Sequence, residues 1–207
     1  MRNTPDLIIP RSPFAALPVP HTVGEAVVVR DRDGLGVASV FARRGQRDAL
    51  TAYVRETWGI ELPLGPERRG AGDLAFLGTG PGRWLAIQEA GGNAFVTSLA
   101  AAVGSWASIS DQSDAHAVLR VSGPRARDTL CKLIPVDLHP RAFQIDQVAS
   151  TVAHHMAVTI WRLPDDASGG AVFELAVFRS FAASFWHAFA ASAAEFGLRA
   201  DWTGRAA

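Results

Sequence analysis

The sequence predicts an α+β protein of two repeated halves, with antiparallel or mixed sheets and helices packed on their faces. Three observations carry this. Short Val- and Phe-rich runs of strand character alternate with amphipathic segments of helical spacing. Gly- and Pro-rich turns separate them. The order strand, helix, strand, strand, helix, strand, read over residues 27–112, is expected to recur over 113–207. With 207 residues, 48% of them hydrophobic, the two halves can share a core as one compact unit.

Residues 1–26 form an extended arm. Pro5, Pro10, Pro13, Pro18 and Pro20 exclude a helix there. Leu7, Ile8, Ile9, Phe14, Leu17 and Val19 make it too apolar for a solvated tail, so it is expected to pack on its own domain or on a partner. In the first half, 36–42 reads as a strand. Residues 46–58 read as a helix with Leu50, Tyr53, Val54 and Trp58 on one face. Residues 63–72 read as a loop. The runs 73–77 and 83–88 flank Gly78-Thr79-Gly80-Pro81-Gly82 and form a hairpin. Phe95, Leu99 and Val103 mark a helix over 93–103, and 106–109 is a strand.

In the second half, 116–121 alternates as a strand. Pro124 is placed to open a helix at its first position, with Ala126, Leu130 and Leu133 facing inward. Residues 148–153, 157–162 and 172–178 are strands, the last the strongest in the chain. Phe181, Phe185 and Phe189 line a closing helix, for which Ser180 is the expected cap.

The charge balance of 20 basic and 20 acidic residues argues against nucleic-acid or anionic-membrane partners. No apolar run reaches the roughly 20 residues of a bilayer span, and none near the N-terminus suits a signal peptide. A lone cysteine, Cys131, fits a reducing compartment, and the cytoplasm is the expected location. Lys132 is the only lysine; the arginine bias fits either an interface-rich surface or base composition.

No motif announces catalysis. The 78–83 turn lacks the glycine that a dinucleotide fingerprint needs at Arg83, and Pro81 removes an amide, so a hairpin turn is expected. His21, His116, His139, His154, His155 and His187 show no zinc-binding spacing; His154 and His155, read as strand neighbours, point to opposite faces. Cys131 is expected to be a buried, inert thiol within a helix. The cluster 110–114, with Asp111 and Asp114, is expected to be a turn with local side-chain caps rather than an acid/base pair. Trp84, Trp161 and Trp186 are expected in the core. Arg179, at a strand end, is placed to face a partner carboxylate.

Asp111-Gln112-Ser113, the strand 116–121, Ser122-Gly123-Pro124-Arg125-Ala126 and Leu130 resemble a segment of the folate-binding domain of the glycine-cleavage T-protein superfamily. The strand Phe173–Val177 followed by Ser184-Phe185-Trp186 is similar to its close. Arg11-Ser12-Pro13-Phe14, Leu77–Leu85, Ser110–Ser113, Asp137–Phe143 and Phe178-Arg179-Ser180-Phe181 are similar, more specifically, to the gamma subunits of bacterial heterotetrameric sarcosine oxidases. The resemblance implies a non-catalytic accessory chain of a complex that oxidatively demethylates sarcosine to glycine. That complex yields H2O2 and 5,10-methylenetetrahydrofolate, or formaldehyde. It implies alpha, beta and delta partners that carry the FAD, FMN, NAD, tetrahydrofolate and zinc. No catalytic, cofactor or metal residue is then expected here, and Phe14, Arg83, Trp84 and Arg179 are expected at a partner interface. The wider superfamily implies a competing reading, a stand-alone folate-binding or one-carbon transfer protein. A related N-methyl-amino-acid dehydrogenase complex using the same type of subunit is a further one.

Overall fold

The computed structural model describes residues 11–203. Its strands are β1 (Val27–Asp31), β2 (Gly36–Ala42), β3 (Arg68–Ala71), β4 (Leu74–Gly80), β5 (Arg83–Gln88), β6 (Ala107–Asp111), β7 (His116–Ser122), β8 (Val148–Ala153), β9 (Met156–Leu163), β10 (Val172–Phe178) and β11 (Leu198–Asp201). Its helices are α1 (Arg47–Trp58), α2 (Gly92–Val103), α3 (Ala126–Cys131) and α4 (Ala182–Ala193). The strands form a five-stranded antiparallel sheet, β3-β4-β5-β2-β6, and a six-stranded mixed sheet, β11-β1-β7-β10-β9-β8. Only the β1–β11 pair is parallel. The class is α+β, as the periodicities imply.

Four layers follow from side-chain alternation along the strands. Val40, Trp84 and Ala86 of the five-stranded sheet pack against Leu50 and Val54 of α1 and Phe95, Leu99 and Val103 of α2. Its opposite face, with Val37, Leu77, Leu85 and Ile87, meets Val118, Val148, Trp161 and Ala176 of the six-stranded sheet. The far face of that sheet carries Val29, Leu119, Ile160, Phe173 and Leu175 and packs against Leu130 of α3 and Phe185, Trp186 and Phe189 of α4.

The arm packs on its own domain over its described part. Phe14 is fully buried and stacks on Trp202, with ring centroids 5.4 Å apart. The Trp186 indole N–H donates to the Pro18 carbonyl at 2.8 Å. Pro5, Leu7, Ile8, Ile9 and Pro10 lie outside the described residues.

The structure differs from the sequence reading at several points. β1 and β11 are not assigned as strands in the sequence reading, although Val27-Val28-Val29 is a β-branched run, and β1 joins the sheet of the second half through β7. Both strands are short, and their pairing spans the whole chain, beyond the reach of local periodicity. Residues 68–71, read as loop, form edge strand β3, which pairs with β4. Pro124 sits in the turn before α3, and Leu133 lies past the helix yet is buried. Ser180 does not cap α4, because a 3-10 turn at Arg179–Phe181 runs directly into the helix. Cys131 is exposed at the last position of α3, not buried within a longer helix; partial burial still pushes its thiol pKa up. His154 and His155 are the two-residue turn between β8 and β9, with φ +53° at His154, not strand neighbours.

Candidate functional site

Three places gather polar chemistry. The first lies between the sheets. Glu174 is on the inward face of β10 and only 5% exposed. Its Oε1 accepts from Arg32 Nε at 2.7 Å, Arg120 Nε at 2.9 Å and Arg120 Nη2 at 2.7 Å. Its Oε2 accepts from the Trp161 indole N–H at 3.0 Å. Arg32 also donates to Glu89, just past β5, and so ties the two sheets together. Burial works against the Arg32 charge, but Glu174 and Glu89 outweigh it and raise its pKa. Both Glu174 oxygens are thus engaged by donors of this chain, which is the chemistry of a structural ion cluster.

The second place is a cleft of about 720 Å³ where β1 ends before β7 does. It is lined by Arg11, Asp31, Asn93, Ser113, His116 and Arg179, among others. Ser113 is held by the turn expected over 110–114: its amide donates to Asp111 Oδ1 at 2.9 Å, and its hydroxyl accepts from the Val37 amide at 3.0 Å. Arg179 donates to the Arg11 carbonyl. The His116 ring stacks on Phe178 at 5.2 Å, and its Nδ1 is buried without a partner. Burial, the larger effect, lowers the His116 pKa, and the Gln112 backbone opposes it.

A histidine kept neutral in the fold takes up fewer protons than it does unfolded. Its stabilising contribution is complete above the ordinary histidine pKa of about 6.5 and is lost as pH falls below it. We therefore expect the melting temperature to drop between pH 7 and pH 5, and His116→Phe to flatten that drop. Identical pH slopes for the two proteins, compared by calorimetry, contradict this.

The third place is the outer end of the five-stranded sheet. Phe41 and Arg83, paired in register on β2 and β5, are both exposed, with the guanidinium 5.5 Å from the ring centroid. Of the four residues expected at an interface, Arg83 and Arg179 have guanidinium groups available at the surface and cleft. Phe14 and Trp84 stand inside this chain's own cores, Trp84 with its N–H donating to the Pro63 carbonyl at 2.9 Å. Aromatic size alone does not distinguish an anchor for a partner from a core residue, which is why the sequence points both ways for Trp84. Sequence reasoning misses Phe41 because a phenylalanine next to the end of a largely buried strand reads as core.

The 78–82 segment is the end of the β4–β5 hairpin, with a register shift between Gly78 and Gly80. Among the described residues, no three His, Cys, Asp or Glu side chains are grouped to hold a metal. No helix among them is long and apolar enough to cross a membrane.

Residues 44–195 match the family model described as sarcosine oxidase, gamma subunit family. The chain is 35% identical over 140 residues to the sarcosine oxidase subunit gamma of an Arthrobacter species, covering 66% of this chain and 68% of that one. Among solved structures, it superposes on a chain of the heterotetrameric sarcosine oxidase from Corynebacterium sp. U-96 with a TM-score of 0.74 and 27% identity. That match covers 91% of this chain and 97% of the other. The glycine cleavage system aminomethyltransferase T from Bartonella henselae shares the fold at 13% identity and a TM-score of 0.59, over 86% of this chain and 48% of that one.

Proposed function

Since the chain belongs to the sarcosine oxidase gamma subunit family, we propose that it is a non-catalytic accessory subunit of a heterotetrameric sarcosine oxidase. In this reading the complex, located in the cytoplasm, demethylates sarcosine to glycine with release of H2O2. The one-carbon unit passes to tetrahydrofolate, giving 5,10-methylenetetrahydrofolate, or leaves as formaldehyde. Alpha, beta and delta subunits hold the FAD, FMN, NAD, tetrahydrofolate and zinc, and this chain contributes to assembly.

The observation that carries the reading is the extent of the likeness to the Corynebacterium chain, 97% of which is covered by this one. An accessory role is also supported by how this chain uses its buried charges: Glu174 is consumed by Arg32, Arg120 and Trp161. The interface assigned to Arg83 and Arg179 is part of the proposal, since neither guanidinium group has an acidic partner among the described residues.

The test is co-expression with the other three subunits. The expected result is a stoichiometric complex whose yield and turnover fall when this chain is omitted, while the isolated chain has no oxidase activity. Full assembly and turnover without it refute the reading. Calorimetric titration of the isolated chain with tetrahydrofolate is expected to show no saturable heat. A saturable isotherm favours the stand-alone folate-binding alternative.

A further inference from the structure

The two sheets have four edges, and three are covered at least in part by the chain itself. β8 and β3 shield each other: the Val148 amide donates to the Pro66 carbonyl at 2.8 Å, the Arg68 amide donates to the Asp146 carbonyl, and Glu67 bridges Gln147. On β11, the Leu198 amide donates to the Thr22 hydroxyl at 2.7 Å, and the hydroxyl donates back to the Leu198 carbonyl. β6 is paired with β2 on one side only.

The ladder shows which groups are left over. The Arg43 amide donates to the Trp106 carbonyl and the Gln112 amide to the Val37 carbonyl. Even-numbered residues from 106 to 112 therefore face β2, and the amides and carbonyls of Ala107, Ile109 and Asp111 point outward. Among the described residues, nothing pairs with them. Natural sheets commonly guard such an edge with Pro, Lys or a bulge. β6 reads Ala-Ser-Ile-Ser-Asp and has neither residue type.

The surface beside this edge is charged in one sense. Phe41 and Arg83 lie in one row with Ser108 of β6. Arg43, Arg44 and Arg47 follow directly where β2 leads into α1. None of these four arginines has a carboxylate within ion-pair distance among the described residues. Asp48 is the one acid in 41–48, and Asp111 closes the opposite end of β6.

We propose that β6 is a docking edge for an extended, acidic segment of a partner subunit, which adds as a sixth strand to the five-stranded sheet. Its carboxylates lie at the Trp106 end, against Arg43, Arg44 and Arg83, and away from Asp111. Backbone pairing to Ala107, Ile109 and Asp111 supplies affinity. The small Ser108 leaves room for a partner side chain to reach Phe41. The arginines supply register and a salt-dependent association rate. The proposal rests on the accessory-subunit reading and assigns it a surface.

The test uses the full chain co-expressed with the alpha, beta and delta subunits. Ile109→Pro removes an outward donor that the β2–β6 ladder does not use. Arg44→Glu/Arg83→Glu reverses the local charge without touching the edge and keeps the test decisive if the proline variant folds poorly. Both are expected to weaken retention in the complex by about tenfold or more. The charge variant is also expected to flatten the salt dependence of association, while its free-chain melting temperature stays near wild type. Wild-type retention by the charge variant overturns the proposal. So does a dimer of the free chain that becomes a monomer in Ile109→Pro, which assigns the edge to a second copy. Failure of the wild-type chain to join the complex at all sinks the accessory reading instead.

Discussion

Glu174→Ala is expected to lower the unfolding free energy by about 3 kcal/mol. Removing one partner of a buried ion cluster leaves the others desolvated with less compensation, and here three donors lose their bonds to Glu174 at once: Arg32, which keeps Glu89, Arg120 and the Trp161 indole. The figure sits at the low end of the usual range for breaking such a pair because the Arg120 side chain is 36% exposed and can rehydrate. For a chain of this length it corresponds to a fall in melting temperature of about 6–12 °C. Glu174→Gln is expected to fall between alanine and wild type, since its one carbonyl oxygen can serve either the arginines or Trp161. Thermal unfolding of the three proteins is the measurement. A melting temperature for Glu174→Ala within a degree of wild type would show that the cluster contributes nothing to the junction of the sheets.

Gly123→Ala has an expected cost of comparable size from a different cause. Gly123 leaves β7 with φ +103°, a conformation that side-chain-bearing residues rarely adopt. A Cβ there would stand 2.6 Å from the Ala26 carbonyl oxygen and 3.2 Å from its carbon. That carbonyl also accepts from the Arg125 amide at 3.0 Å, so it cannot retreat without loosening the entry to α3. Backbone strain of about 1–3 kcal/mol adds to this clash. Gly34→Ala is the control: φ is +77°, but nothing lies within 4 Å of where its methyl group would stand, so it carries strain alone. The expected order of melting temperatures is wild type, then Gly34→Ala, then Gly123→Ala well below. Equal losses for both alanines would remove the argument from close approach.

Gly123 also shows how a motif can be read before the fold is known. A strand followed by Ser-Gly-Pro and a small residue calls for a sharp turn and a close-packed helix, and the sequence carries that physics locally. Ala126 is fully buried, as its size requires. The strands 36–42, 148–153 and 172–178 are legible from end to end because alternation and β-branching are properties of neighbouring residues. The hairpin over 74–88 is legible because its turn residues lie between its strands. The class of the protein and its family resemblance are therefore available from the chain alone, as is the core placement of Trp161 and Trp186, whereas Trp84 reads both ways until the sheet buries it.

What the tertiary structure decided is every pairing between distant parts of the chain. Leu198–Asp201 is a strand because Val27–Asp31 supplies its hydrogen-bonding partner, and Val27–Asp31 is itself fixed between that strand and His116–Ser122, both far away in the chain. Glu174 stands amid the apolar run of β10, where only the approach of Arg32 from just past β1, Arg120 from β7 and Trp161 from β9 gives its burial a reason. Arg43, Arg44, Arg47 and Arg83 are ordinary surface residues in sequence; the β2–β5 register gathers them beside one open edge. Periodicity reports which side of an element is apolar. Which other element covers that side, and which edge no element covers, depends on loop closure across the whole chain and is settled only when the layers pack.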